Sequence, residues 1–363
     1  MVLSSERASS FCGALGSCAP QKLGVRAVEC TRARRDWTCE TNLAEDTRTA
    51  LGLPFGEGDG ASVSEEKAVN VGPSGIEVTY ERFGDPRAPP VLLVMGLGGQ
   101  MLSWHDGFCA ELAARGLHVI RFDNRDVGLS SHFPDAPTPD LKAARSGDVS
   151  SASYTLSDMA ADTVGLLDAL GLENAHIVGA SMGGMIAQTI AIEHPSRVRS
   201  LTSIMSTTGS RSVGQMKPEA VRAMAGPPPA NRQEVIERAV TIFRVVGSPG
   251  FEMDEAALRE RTARSYDRAY DPLGVARQTV AIIASGDRTA RLRSIDVPTL
   301  VLHGADDPLC DVSGGRATAK AIRNAELVVI DGMGHNLPRA LWPEISSRIA
   351  NLVQRAEAAA VCD

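Results

Sequence analysis

The sequence predicts an α/β fold, with a mostly parallel central sheet, helices on both faces and a helical insertion late in the chain. Three observations predict it. Short apolar-rich runs such as Val91–Met95, Val198–Ile204 and Thr299–His303 have the length and character of strands buried on both faces. Helical stretches alternate with them through short loops, which is the rhythm of right-handed β–α–β crossovers. From about residue 207 to 292 that rhythm stops. No buried parallel strand is evident there, and helical patterns at Val235–Val246, Glu255–Tyr266 and Leu273–Ile283 follow Pro227–Pro229.

In chain order, residues 1–68 stand apart. They are rich in Ser, Ala, Arg and Gly, lack sustained periodicity and end near Gly56–Gly60. Their acids (Glu6, Glu29, Asp36, Glu40) argue against a transit peptide. Leu15–Cys18 resembles a lipoprotein processing box, but the stretch before it is too short and polar for an h-region. The expectation is a disordered extension, or translation begun upstream of the domain's natural start. The folded domain is expected over residues 69–363, with the insertion at about 207–292 acting as a cap.

Within that domain, Gly75–Phe83 alternates like a strand, and Val91–Met95 runs into Gly96-Leu97-Gly98-Gly99. A helix is expected from about His105 to Arg115, then the strand Leu117–Phe122. A helix from Leu156 to Leu170, capped by Ser157, returns the chain to the strand Ala175–Gly179. After Val198–Ile204 and the insertion come Thr299–His303, Leu327–Ile330 and a last helix from about Leu341 to Ala359.

Composition excludes several classes. The chain of 363 residues is 43% hydrophobic with a formal net charge of −7, which gives no electrostatic reason to bind nucleic acid or anionic membrane. No apolar run approaches transmembrane length. The seven cysteines (four before residue 40, then Cys109, Cys310 and Cys362) form no metal-ligand spacing and fit a reducing, cytoplasmic compartment.

The chemistry centres on Gly179-x-Ser181-x-Gly183, between a buried strand and a helix. A serine on such a turn takes a strained conformation with its Oγ projecting, and the flanking glycines avoid clashes that a Cβ would make. The helix beginning there aims free N–H groups at developing negative charge. A serine needs a base, and the base needs an orienting acid. His335, in the loop after the last strand, is the candidate base; His118 and His176 sit within strands, and His303 ends one. Asp307, after Thr299–His303, is the candidate acid, with Asp306 the alternative. The stretch Met205–Gly209, after the strand Val198–Ile204, offers no carboxylate. The backbone N–H groups of Leu97 and Met182 are the candidate oxyanion donors, each typically contributing roughly 100- to 1000-fold in rate. Gly96-x-Gly98-Gly99 lacks the spacing of a dinucleotide loop, and Asp123-x-Arg125 is expected to shape the site wall.

Together these residues resemble the α/β-hydrolase superfamily, from about residue 70 to the C-terminus. Met95–Gly99 stands where many members have His-Gly-x-Pro-Gly, and Asp123–Ser130 matches Asp-x-Arg-Gly-x-Gly-x-Ser with Asp126 in place of a glycine. More narrowly, Val94–Gly98, Arg125–Ser130, Gly179–Gln188 and Asp331–His335 resemble the mycobacterial lipase/esterase group of LipG type and the aclacinomycin methylesterase branch. The resemblance implies an α/β-hydrolase fold and a carboxylic-ester hydrolase acting on small-molecule or lipid-like esters or thioesters.

The expected reaction is ester cleavage through an acyl-enzyme, without cofactor or metal. Met205, Met216, Met224, Phe243 and Phe251 are available to line an apolar pocket under the cap. The same residues also allow carbon–carbon bond hydrolysis, perhydrolysis or, from another class, a non-catalytic binding protein.

Overall fold

A computed structural model describes residues 64–360. Their strands are β1 (Glu66–Val71), β2 (Ile76–Phe83), β3 (Pro90–Val94), β4 (His118–Phe122), β5 (Ala175–Ala180), β6 (Val198–Ile204), β7 (Thr299–Gly304) and β8 (Glu326–Ile330). The helices are α1 (Asp106–Ala114), α2 (Leu141–Arg145), α3 (Leu156–Ala169), α4 (Met182–Glu193), α5 (Pro218–Met224), α6 (Arg232–Val246), α7 (Glu255–Arg268), α8 (Pro272–Ser285), α9 (Ser313–Ala321) and α10 (Trp342–Ala360). The first 63 residues, with the Leu15–Cys18 box and four of the cysteines, lie outside the described part, as does Cys362.

The eight strands form one sheet in the order β1-β2-β4-β3-β5-β6-β7-β8. The β1–β2 and β2–β4 pairs are antiparallel and the rest are parallel. Strand direction follows from connection length, since the tight turn at 72–75 permits only an antiparallel hairpin, whereas the parallel pairs are joined by longer crossovers. The chain order reverses about β3, which lies between β4 and β5, and the crevice this opens at the strands' C-terminal ends is where such sheets bind ligands. The loops carrying Gly96 and Ser181 emerge there together, because Val94 is in register with Gly179.

Alternation along the strands divides the core between the two faces. Leu92, Val94, Ile120 and Ile177 pack with Leu166 of α3 and Ile186 and Ile190 of α4. Val91, Leu93, Val119 and Val178 pack on the other face with Phe108 and Leu112 of α1 and Ile345, Ile349 and Val353 of α10.

Local differences from the sequence reading have plain causes. Strand β1 begins at Glu66, inside the stretch expected to be disordered. Its polar outer positions and Asn70 at φ 55° hide the alternation, while Ala68 and Val71 are buried. Helix α3 is capped by Thr155 and not by Ser157: Asp158 returns a carboxylate to the Thr155 N–H at 2.8 Å, closing a capping box. His105 caps α1 from outside, its Nδ1 accepting the Gly107 N–H at 3.1 Å.

Helices α5 to α8 form the insertion between β6 and β7. No described helix is long and apolar enough to cross a membrane.

Candidate active site

The turn from β5 into α4 places Ser181 at φ 56°, ψ −120°, a conformation disfavoured for a residue with a side chain. Its neighbours hold it there. Ser181 donates its N–H to the Ile204 carbonyl at 2.9 Å, and its own carbonyl accepts from Ser206 Oγ at 2.8 Å. The glycines answer to crowding. A Cβ on Gly179 would stand 2.1 Å from the Gly183 carbonyl oxygen, and one on Gly183 would stand 2.0 Å from that of Val94.

His335 reaches the serine from the loop after β8. Its Nε2 lies 3.0 Å from Ser181 Oγ and its Nδ1 lies 2.6 Å from Asp307 Oδ2. Asp307 is fully buried, and its Oδ1 accepts the N–H groups of Leu309 and Cys310 at 2.8 and 2.9 Å, so both carboxylate oxygens are engaged. Asp306 does something else: it is exposed and ties the loop at 331–335 by accepting the Gly332 N–H at 2.9 Å.

The other histidines stay away from Ser181. His303 donates from Nε2 to the Cys310 carbonyl at 2.7 Å, and burial lowers its pKa. His118 and His176 are buried in strands, as expected. His132 bridges Asp271 and the Gly128 carbonyl, and His194 ends α4.

Met182 directly follows the serine, and Gly96, the residue before Leu97, lies against it. Met182 opens α4, where the first N–H groups have no intrahelical acceptor. Leu97 follows Gly96, where an added methyl would stand 3.5 Å from Ser181 Oγ. Among the described residues, neither the Leu97 nor the Met182 N–H donates to a protein acceptor outside the regular helix and strand bonds.

Sequence reasoning missed the supports from the insertion. The Gly334 N–H donates to Ser248 Oγ at 2.9 Å and the His335 N–H to the Val246 carbonyl at 2.7 Å, so the end of α6 fixes the histidine loop. Gln278 of α8 contacts the Gly96–Gly99 turn, accepting the Gly98 N–H at 2.9 Å. Asp123 is a clamp, as its motif implied: Oδ1 accepts the Met101 N–H at 2.7 Å, while Oδ2 takes the Leu129 N–H and Arg268 of α7. Arg125 pairs with buried Asp162 from β4's loop to α3.

Of the apolar residues anticipated under the insertion, Phe243 and Phe251 share one groove, and Met205, Met216 and Met224 do not line it. Met205 and Phe251 pack with the sheet core, whereas Met216 and Met224 are exposed. A groove of about 360 Å³ lies beside the triad loops, lined by Phe243, Gly247, Phe251, Asp306, Pro308 and Asn336. A second hollow, of about 560 Å³ between Val69–Pro73, α3 and His194, touches no residue of the serine site.

A serine on a strand–turn–helix elbow, at the switch point of this sheet, defines a fold family. Residues 89–338 match the alpha/beta hydrolase fold family, and the chain belongs to it. It is 30% identical over 296 residues to rhodomycin D methylesterase DauP of Streptomyces sp. (strain C5), covering 75% of this chain and 94% of that protein. The protein is accordingly an esterase-type hydrolase. Two solved structures share the fold. The enol-lactonase of Burkholderia xenovorans LB400 is 24% identical with a TM-score of 0.61, covering 79% of this chain and 99% of that one. The meta-cleavage product hydrolase of Pseudomonas fluorescens IP01 is 18% identical with a TM-score of 0.62, covering 80% and 98%.

Proposed function

We propose that the protein is a serine hydrolase of small carboxylic esters, working through Ser181, His335 and Asp307 and a covalent acyl-enzyme. The unbroken hydrogen-bonded chain from Ser181 Oγ through His335 to Asp307 carries this reading. As Ser181 Oγ attacks the ester carbonyl carbon, His335 Nε2 takes its proton. Asp307 holds the Nδ1–H tautomer and stabilises the imidazolium. The carbonyl oxygen becomes an oxyanion received by the N–H groups of Leu97 and Met182. Collapse breaks the ester C–O bond, and the proton on Nε2 passes to the departing alkoxide. Water then attacks the acyl-enzyme with His335 as base and regenerates Ser181.

The helical insertion is assigned the part of a cap over the site, since α6, α7 and α8 each bond to a loop of the catalytic end. The relative's name favours an ester with a small alcohol, such as a methyl ester, over carbon–carbon cleavage. A fluorophosphonate probe followed by peptide mapping tests the assignment. The adduct is expected on Ser181 and absent in Ser181→Ala. Labelling elsewhere, or none in a folded protein that also turns over no ester, would overturn it.

A further inference from the structure

Gln278, on α8, is fully buried and joins two core loops. Its Oε1 accepts the Gly98 N–H at 2.9 Å, and its Nε2 donates to the Arg125 carbonyl at 2.8 Å. Val275, one turn earlier on the same helix, packs on the same glycine: a Cβ at Gly98 would stand 3.0 Å from Val275 Cγ2. Gly98 has φ +65°, a conformation for which a glycine is suited and no side chain of its own can serve as a lock.

The turn is anchored on its other side by the core. Asn124 Nδ2 donates to the Met95 carbonyl at 3.0 Å. That carbonyl belongs to the Met95–Gly96 peptide, and the Gly98 N–H belongs to the Leu97–Gly98 peptide. The one peptide between them carries the Leu97 N–H. Helix α7 supports the far end: Gln100 Nε2 donates to the carbonyls of Ser265 and Ala269 at 2.7 and 2.9 Å.

We propose that Gln278 is a positioning residue for the oxyanion site, fixing the Leu97 N–H by holding the next peptide along. This rests on the serine-hydrolase reading above. An oxyanion donor acts only when it stands about 2.7–3.1 Å from the oxygen, and a peptide beside a glycine rotates readily unless both its neighbours are held. The Gly96 carbonyl of the peptide that carries the Leu97 N–H accepts the Gly99 N–H at 3.1 Å, which closes the turn on itself. Asn124 then holds one neighbouring peptide from the core, and Gln278 holds the other from the cap, fixing how the closed turn sits against Ser181. The oxyanion site is therefore complete only with α8 docked, which makes cap docking a condition of catalysis and not merely of substrate enclosure.

The test compares wild type with Gln278→Met, which keeps length but neither donates nor accepts, and Gln278→Glu, which keeps an acceptor for Gly98 and loses the donor to Arg125. The readouts are kcat and KM on a short p-nitrophenyl ester, inhibition by an alkylboronic acid that forms a tetrahedral serine adduct, and amide exchange over residues 95–101. For Gln278→Met, kcat is expected to fall about 10- to 100-fold and boronate affinity by a similar factor, with KM within about three-fold. Exchange at Gly98 should accelerate. Gln278→Glu should keep Gly98 protected and restore part of kcat relative to Gln278→Met. Wild-type kcat and boronate affinity in Gln278→Met, or unchanged exchange at Gly98, would overturn the proposal. Should Gln278→Met fail to fold, loss of Gly98 protection in folded Gln278→Glu would overturn it equally. Absence of turnover in wild type would instead sink the serine-hydrolase reading, while the exchange measurement still reports the Gly98 bond.

Discussion

Asp126, in the loop after β4, and Arg277, on α8, form a buried two-pronged ion pair between the core and the helical insertion. Arg277 Nε lies 2.9 Å from Asp126 Oδ2, and Nη2 lies 2.8 Å from Oδ1. The Tyr154 hydroxyl at 2.7 Å and the Phe133 N–H at 3.1 Å complete the carboxylate's partners. Asp126 has φ 66°, where the resembling hydrolases carry a glycine.

Two effects oppose each other in Asp126→Gly. Glycine relieves the backbone, a gain of about 1 kcal/mol, but strands a buried guanidinium, which costs about 3–5 kcal/mol. The second outweighs the first, tempered by Asp271, which remains 3.2 Å from Arg277 Nη2. Net destabilisation of about 2–4 kcal/mol is expected from urea midpoints. Most of it should return in Asp126→Gly with Arg277→Met. Equal stability of wild type and Asp126→Gly would show that the pair contributes little.

The two neighbouring aspartates should part company. Asp307→Asn forces the wrong imidazole tautomer and should lower kcat about 10⁴-fold while leaving the fold intact. Asp306→Asn removes an exposed charge while keeping a carbonyl acceptor for the Gly332 N–H, and should change kcat less than about three-fold. Steady-state kinetics on one ester distinguishes them, and the reverse ranking would move the acid to Asp306.

Gly183→Ala tests the crowding at the elbow. The new methyl meets the Val94 carbonyl oxygen at 2.0 Å and the Met95 carbonyl oxygen at 2.8 Å, both backbone atoms that cannot swing aside as a side chain can. Helix α4 must shift away from β3, carrying the Met182 amide with it. Fluorophosphonate labelling of Ser181 should slow by about 100-fold or more. An unchanged labelling rate would mean that the elbow yields without consequence.

Acid sensitivity should reside partly at His176. Burial drives its pKa down from 6.5 to about 4, against the opposing pull of Glu357 beside Nε2. The native state thus favours the neutral ring, while the unfolded chain takes up a proton near 6.5. Below that pH the unfolded state binds more protons, so stability falls as pH drops from about 6.5 towards 4 and then levels. His176→Gln should flatten this part of the profile. Parallel denaturation profiles for the two proteins would remove His176 as the cause.

The residues whose geometry is imposed locally were legible in the sequence. Gly179, Ser181 and Gly183 answer to one turn, and His335 and Asp307 follow strands whose apolar runs mark where loops begin. The long-range supports were not. Gln278 and Arg277 look like ordinary polar residues of an amphipathic helix, and their partners lie more than 150 positions earlier. Asp126 gave half a signal, since a carboxylate in a glycine's place asks for a buried cation without saying which. Ser157 has the right residue type for a cap, but the helix starts one residue before it, and Thr155 with Asp158 makes the box. Methionines of the insertion read as pocket lining, yet Met216, in the loop before α5, and Met224, at the end of that helix, face solvent, because apolarity alone does not tell which side of a loop or a short helix is covered.

The central claim is that Ser181, activated by His335, cleaves esters. Initial rates on p-nitrophenyl esters from acetate to palmitate, wild type against Ser181→Ala, test it most directly. The account predicts wild-type turnover that falls by at least about 10⁴-fold in the variant at every chain length, with both proteins folded. Turnover retained in Ser181→Ala would contradict it.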